Sequence, residues 1–243
     1  MISVCMATYN GERYIREQLN SILLQLGKND EVIISDDSST DNTLAVVGSF
    51  NDTRIKVFPD NKFHSPIFNF ENALKKAQGD YIFLSDQDDI WEINKVEVML
   101  PYLSRYSLVV SDCTLIDKEG NLLCNSLFGK KMPETGLLVN LVRNHYSGCC
   151  MAFRREILNM ALPFPRQIAM HDIWLGLCAS CFYNTHFIPN KLIRYRRHGK
   201  NASATSETSN LPWIYRIRYR FYLLYELIRR KVLYNAEGHR DDC

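Results

Sequence analysis

Apolar and polar positions follow two rhythms along the first hundred residues. Short unbroken apolar runs, too brief for helices, alternate with segments whose apolar residues recur every three or four positions. "ISVCMAT" (2–8), "EVIIS" (31–35), "RIKVF" (54–58) and "YIFL" (81–84) belong to the first kind and predict strands. The second kind predicts a helix from Glu12 to about Gln25, with Ile15, Leu19, Ile22, Leu23 and Leu26 on one face. A second helix follows "DDSSTDNT", with Asp41 as its N-cap and Leu44, Val46 and Val47 as anchors. "IFNFENALKKAQ" (67–78) predicts a third, ending near Gly79, and Trp91 to Leu103 a fourth, weakened in its last turn by Pro101.

Strand–helix repeats at this spacing predict an α/β fold: a mostly parallel, Rossmann-like open sheet with helices on both faces. Such sheets bind ligands beyond the carboxyl ends of their strands, where the strand order reverses. "TYNG", "DDSS" and "SDQDD" all fall at that edge.

After residue 106 the pattern changes. "SLVVSDC" (107–113) and "SGCCMAFRR" (147–155) predict strands, and the segment between them reads as hairpin and loop. "MHDIWLGLCASCF" (170–182) is helical after a polar start, and "KLIRYRRHGKN" ends the compact part. The expected organisation is one domain over 1–201, with halves of about 1–113 and 114–201. A small-residue linker or mobile loop (202–210) and a basic, aromatic helical tail (211–243) follow it.

Composition adds exclusions. At 46% hydrophobic and 23% charged residues the chain is an ordinary globular protein rather than a disordered one. A net charge of +2 gives no footprint for nucleic acid. Eight cysteines in mostly apolar company read as buried free thiols, and the CxxC of Cys178 and Cys181 lacks a second pair at zinc spacing. No basic leader precedes the first apolar run, and no stretch approaches the roughly 20 apolar residues of a membrane span. A cytoplasmic protein is expected.

The candidate chemistry centres on Asp86, Asp88 and Asp89, which follow a buried strand directly. Carboxylates on neighbouring strand ends repel unless a cation or protons compensate. Few, hard oxygen donors suit Mg²⁺ or Mn²⁺, whose shell is completed by water and substrate phosphate, so a diphosphate-bearing ligand is the natural partner. The plainer alternative is a solvated acidic turn that caps the next helix. "TYNGERY" has neither the G-x-G-x-x-G of a dinucleotide turn nor a P-loop. Tyr9 offers a ring for a base to stack on, or else packs under its loop. Asp36 or Asp37 offers an acceptor for a base N–H, as on uridine or thymidine. In "MHDIW", Asp172 is either a helix cap beside a packed His171 or a base that takes a proton from an attacking hydroxyl. Arg196 and Arg197 either neutralise phosphate or form a solvated basic turn.

"SVCMATYNGERYIREQLNSILLQ", "IISDDSSTDNT", "GDYIFLSDQDDIW", "SGCCMAFRRE", "MHDIW" and "YRRHGKN" resemble the family 2 glycosyltransferases of the GT-A fold, and within them the bacterial rhamnosyltransferase-like members. The resemblance covers most of residues 2–201 and implies inverting transfer from a nucleoside-diphosphate sugar. By similarity, Thr8, Tyr9, Asn10, Glu12, Asp36, Asp37, Asp86 and Gln87 surround the nucleotide sugar, with Asp37 the preferred imide acceptor. Asp88 and His198 hold Mn²⁺ or Mg²⁺, and Asp172 is the general base. Asp89, Trp91, His171, Arg196 and Arg197 lie in reach of phosphate or acceptor. The family's usual "ED" pair reads "HD" here, so His171 does not take over a glutamate's role. Residues 1–113 become the nucleotide-sugar half and 114–201 the acceptor half. The resemblance favours dTDP-L-rhamnose as donor, with UDP-galactose and UDP-glucose open. It implies an acceptor saccharide on a lipid carrier, in O-antigen or capsule synthesis at the inner face of the bacterial plasma membrane. A sugar-phosphate nucleotidyltransferase and a non-catalytic carbohydrate-binding protein are the competing readings.

In the tail, Ile214, Ile217, Phe221, Leu224 and Ile228 form an apolar stripe flanked by arginines. Such a helix either lies on an anionic membrane or packs on the domain.

Overall fold

The computed structural model describes residues 1–198 and 213–238, with side chains over 1–198 and 217–234. Strands β1 (Ile2–Thr8), β2 (Glu31–Asp36), β3 (Ile55–Phe58) and β4 (Tyr81–Ser85) are parallel neighbours. Val4, Cys5 and Met6 of β1, Val32 to Ile34 of β2 and Ile82 to Leu84 of β4 are all fully buried. Both faces of these strands are covered, which is why each reads as a continuous apolar run rather than an alternation. The chain steps outward from β1 to β2 and β3, then crosses to the other side of β1 for β4, so the order reverses at β1.

The helices on these strands are α1 (Ile15–Leu23), α2 (Thr43–Gly48), α3 (Pro66–Lys76) and α4 (Lys95–Leu103). Helix α1 starts three residues later than its periodicity predicts, because Tyr14 and Ile15 both donate their N–H to Gly11 O in a turn. Its face of Ile15, Leu19 and Ile22 is fully buried as expected. Asn42, not Asp41, is the N-cap of α2. Asp41 nonetheless accepts the Thr43 N–H at 3.0 Å and the Thr43 hydroxyl, acting from one residue earlier. The fourth predicted helix loses its first turn, because Ile90–Trp91 forms the short strand β5.

The second half continues the same sheet through β6 (Leu108–Ile116), β7 (Leu122–Cys124), β8 (Met151–Arg154) and β9 (Thr185–Arg196). The order is β3-β2-β1-β4-β8-β6-β9-β5, with β7 paired to β6. Strand β8 is antiparallel to both β4 and β6, whereas β9 runs parallel to β6. Residues 148–150 of the predicted strand "SGCCMAFRR" form a 3-10 turn that delays β8 to Met151. Strand β9 escapes the hydrophobic pattern: its middle, Pro189 to Lys191, is exposed, and its pairing with β6 is broken by irregularities around Asp112.

Helices α5 (Leu137–Val142), α6 (Ile157–Ala161), α7 (His171–Phe182) and α8 (Trp213–Gly238) complete the description. The predicted linker 202–210 lies outside the described residues. Helix α8 packs on the domain: Leu223 and Leu227 are buried, and Arg220 donates to the Leu141 and Val142 carbonyls. The apolar stripe anticipated from sequence points the other way, with Ile217, Phe221 and Ile228 exposed. The tail is thus apolar on two faces, one docked and one free. No helix among the described residues is long and apolar enough to cross a membrane. The seven described cysteines are free thiols.

Candidate active site

The carboxyl ends of β1, β2 and β4 open into a cleft of about 780 Å³ at the point where strand order reverses. Its β1 wall is the turn Thr8-Tyr9-Asn10-Gly11. Gln87 clamps this turn, its Oε1 accepting the Tyr9 N–H at 2.9 Å and its Nε2 donating to Tyr9 O at 3.0 Å. A Cβ at Gly11 would overlap the Gln87 carboxamide, so a side chain there would push this clamp aside. Asn10 sits at φ 50°, a left-handed conformation that asparagine tolerates, and its Oδ1 accepts the Thr40 N–H at 2.8 Å. The Tyr9 ring is left exposed on the rim.

Of the two aspartates at the end of β2, Asp36 within the strand and Asp37 just beyond it, only Asp37 lines the cleft. Its oxygens accept the Phe63 N–H at 2.6 Å and the Ser65 N–H at 3.1 Å, which leaves lone pairs free on both. Asp36 is fully buried behind it and accepts from Thr8 Oγ1 at 2.8 Å, Ser39 N at 2.8 Å and Ser39 Oγ at 2.6 Å. Asp36 therefore shapes the turn. Glu12 is likewise diverted, its carboxylate accepting both N–H groups of Asn42 at 2.9 Å on the outer surface.

After β4, Asp86 and Asp88 line the cleft and Asp89 does not. Burial, then the charges of Asp88 and Asp172, push Asp86 up to about 7. Asp88 Oδ2 meets His198 Nε2 at 2.6 Å, which raises the imidazole above its ordinary range. Asp89 is fully buried, with Oδ1 accepting the Arg196 backbone N–H at 2.9 Å, and it is out of reach of phosphate or acceptor. Trp91 is buried against Phe83 and beneath Lys95, a sheet residue rather than a substrate contact.

The basic turn is also corrected. Arg196 is 3% exposed, and its guanidinium donates to Asp88 O at 2.9 Å and to the Glu17 carboxylate at 2.7 Å. It lies over the Tyr14 ring and ties the end of β9 to the acidic turn, so it is not offered to a diphosphate. Arg197 is half-buried, donates its backbone N–H to Ile116 O, and does not line the cleft.

Across the cleft, His171 and Asp172 begin α7. Asp172 Oδ2 accepts the Gly148 N–H at 3.1 Å and Oδ1 accepts its neighbour Ile173 N–H at 2.7 Å. Burial outweighs these hydrogen bonds and raises the carboxyl to about 6. The acid is thus ionised at neutral pH yet basic enough to take a proton. His171 stacks on Phe70 with centroids 3.9 Å apart, and burial lowers it to about 3, so it is a neutral imidazole. Neither of its ring nitrogens has a hydrogen-bond partner among the described residues.

Tyr14, Arg13, His64 and Lys118 also line the cleft and were not anticipated. Tyr14 stacks on His198 with centroids 5.3 Å apart, but in sequence it hides inside a helical pattern that accounts for its ring as core. Lys118 belongs to a hairpin that gave no signal of where it folds back.

The acidic turn offers oxygen donors of the kind a hard divalent ion takes, once the Asp88–His198 hydrogen bond is released. One carboxylate of Asp88 and one imidazole of His198 converge at the cleft wall, with the Asp86 carboxylate two residues away. The alternative grouping of Asp86, Asp89 and Cys149, with ligand atoms within 4.8 Å of one another, draws on a buried thiol pushed well above its ordinary range. A protonated thiol is a poor ligand for Mg²⁺ or Mn²⁺.

The sheet, with its order reversing at β1 where the cleft opens, has the GT-A fold, and the family match adds the class: a glycosyltransferase acting on nucleotide sugars. The chain belongs to glycosyl transferase family 2, whose model matches residues 3–160. It is 30% identical over 182 residues to the UDP-Glc:alpha-D-GlcNAc-diphosphoundecaprenol beta-1,3-glucosyltransferase WfgD of Escherichia coli, covering 73% of this chain and 69% of that one. It is 44% identical over 99 residues to the dTDP-rhamnosyl transferase RfbG of Shigella flexneri, over 38% of this chain and 34% of that protein. Among solved structures it is similar to S. aureus TarS 1–349 in complex with UDP-GlcNAc, with a TM-score of 0.68 at 22% identity, over 94% of this chain and 72% of that one.

Proposed function

We propose that the protein is an inverting, metal-dependent transferase that moves L-rhamnose from dTDP-L-rhamnose to a saccharide carried on a lipid. The observation that carries this reading is the placement of Asp172 across one cleft from Asp86 and Asp88. Asp172 accepts the proton of an acceptor hydroxyl as its oxygen bonds to the anomeric carbon. The bond from that carbon to the diphosphate breaks, and the nucleoside diphosphate leaves on the opposite side. Asp88 and His198 would hold Mn²⁺ or Mg²⁺, which would supply neutralisation of the charge on the departing diphosphate. The Tyr9 ring stacks on the base and Asp37 accepts its imide N–H. The neutral imidazole of His171 hydrogen-bonds substrate beside the base.

RfbG, at 44% identity, supports the rhamnosyl donor, whereas WfgD, matched over more of the chain, supports UDP-glucose as the second reading. WfgD also supports a lipid-carried acceptor, and with it a place at the inner face of the plasma membrane. The outward face of α8, with Ile217, Phe221 and Ile228, serves as the peripheral membrane contact.

Screening dTDP-L-rhamnose, UDP-glucose and UDP-galactose for Mn²⁺-dependent hydrolysis tests the reading. Release of dTDP from dTDP-L-rhamnose is expected. Pyrophosphate as product would establish a nucleotidyltransferase instead, and absence of turnover with every sugar would favour a binding protein.

A further inference from the structure

A second cavity, of about 620 Å³, lies beside the cleft and shares Ser147 with it. It is built by long-range contacts. One wall is the loop at Leu127 and Phe128, which Asp112 of β6 holds by accepting the Leu127 N–H at 2.9 Å and the Phe128 N–H at 3.1 Å. The other wall is the Val139 and Arg143 side of α5, whose carbonyls at Leu141 and Val142 are gripped by Arg220 of α8.

The nitrogen-bearing side chains of this cavity differ in charge. Lys131 is neutralised at the mouth by Glu134, 2.8 Å away. His145 is held below the ordinary imidazole range by burial and then by the Arg143 charge, and its Nδ1 lies 3.2 Å from Asn140 Oδ1. The Arg143 guanidinium has no hydrogen-bond or ion-pair partner among the described residues. Phe128, Met132 and Val139 supply apolar wall. On the neighbouring surface of α5, Leu138 and Val142 are 73% and 65% exposed and, four residues apart, share one face. A single uncompensated cation therefore stands beside the apolar wall of a cavity that adjoins the catalytic cleft at Ser147.

We propose that this cavity is the acceptor subsite and that it recognises a phosphate or diphosphate group joined to an apolar chain, with Arg143 as the phosphate ligand. This rests on the glycosyltransferase reading above. Gly148, adjacent to the shared Ser147, donates its N–H to Asp172, so a sugar at the junction presents its hydroxyl to the base while its phosphate end lies against Arg143. Guanidinium matches phosphate geometry with paired N–H donors.

The test uses the full chain with its donor cleft saturated by UDP or dTDP, so that the nucleotide's own phosphate site is filled. Farnesyl diphosphate, farnesol and inorganic pyrophosphate are titrated as probes of charge plus chain, chain alone and charge alone. Farnesyl diphosphate is expected to bind at least about tenfold more tightly than either partial probe. Arg143→Gln should weaken it about tenfold and leave farnesol unchanged, while Arg143→Lys restores part of the loss. Farnesyl diphosphate binding that is undetectable, equal to that of farnesol, or within about twofold of the parent in Arg143→Gln overturns the subsite. A separate titration in which neither UDP nor dTDP binds sinks the donor-site reading instead, so the two failures are distinguishable.

Discussion

His198 Nε2 lies 2.6 Å from Asp88 Oδ2, joining residues 110 positions apart at the wall of the cleft. The contact closes the site, because Asp88 comes from the turn after β4 and His198 from the chain just beyond β9. If the pair is a cation site, Asp88→Asn and His198→Ala should each weaken Mn²⁺-dependent nucleotide binding by about tenfold or more. Chelation should do the same to the parent. Calorimetric titration of UDP and dTDP with and without Mn²⁺ checks this, and affinity indifferent to metal would remove both assignments.

Asp172 should be separable from binding. Asp172→Asn keeps one of the two backbone hydrogen bonds, on its remaining oxygen, and cannot take a proton. Turnover is expected to fall by about 10²- to 10⁴-fold with donor affinity preserved. In the parent, the carboxyl raised to about 6 predicts that the rate falls as pH drops below that value, because the base becomes protonated. Stability moves oppositely through this group. Between the ordinary value of 3.8 and about 6 the folded chain holds more protons than the unfolded chain, so acidification through that window favours folding at Asp172. A pH–rate profile taken beside circular dichroism therefore separates a titrating base from acid unfolding.

Arg196 should behave as a structural cation. Its guanidinium is 3% exposed and joins β9, α1 and the acidic turn. Arg196→Met removes the hydrogen bonds to the Asp88 carbonyl and the Glu17 carboxylate and should cost about 2–4 kcal/mol of folding stability in denaturant titration. A variant that keeps its stability but loses nucleotide affinity would return Arg196 to the role of phosphate ligand.

The strand ends were legible because parallel strands covered on both faces leave unbroken apolar runs, so the acids that follow "YIFL" stand out. What the runs do not carry is which way each carboxylate turns. Asp36 and Asp89 look the same in sequence as Asp37 and Asp88, yet the first two turn inward to cap backbone N–H groups. Tyr14 drew no reading and the packing of Arg196 under the acidic turn was not foreseen for a related reason, since a ring within a helical pattern and an arginine in a basic turn each have commoner explanations. Strand β9 was missed because its exposed middle interrupts the pattern. In the tail, "YRIRYRFYLLYELI" has two apolar faces, and periodicity cannot say which one the domain takes.

The two faces of α8 determine how membrane binding must be tested. Removing the tail would strip Leu223 and Leu227 from the core, so loss of binding by a truncated protein would be ambiguous. The triple substitution Ile217→Ser, Phe221→Ser, Ile228→Ser touches only the exposed face. It should lower partitioning to phosphatidylglycerol vesicles by about tenfold or more without changing stability. Parent binding should also weaken with salt, since the flanking arginines act through screened charge. Equal sedimentation of the triple variant and parent would end the membrane assignment.

Gly148 offers a test of positioning without removing any catalytic group. A Cβ there would stand 3.0 Å from His171 Nε2 and 3.5 Å from the Asp172 Cβ. The imidazole is buried and stacked on Phe70, which restricts its withdrawal. Gly148→Ala should therefore displace the start of α7 by a few tenths of an ångström and lengthen the Gly148 N–H to Asp172 bond. The expected stability loss is modest, about 1–2 kcal/mol, because one methyl is accommodated. Turnover should fall more, by about tenfold, since a misplaced base loses alignment with the attacking hydroxyl. Nucleotide affinity should hold within about twofold, because the donor turns on β1 and β4 are untouched. Unchanged kcat in Gly148→Ala would show that the contact between this turn and α7 does not position the base.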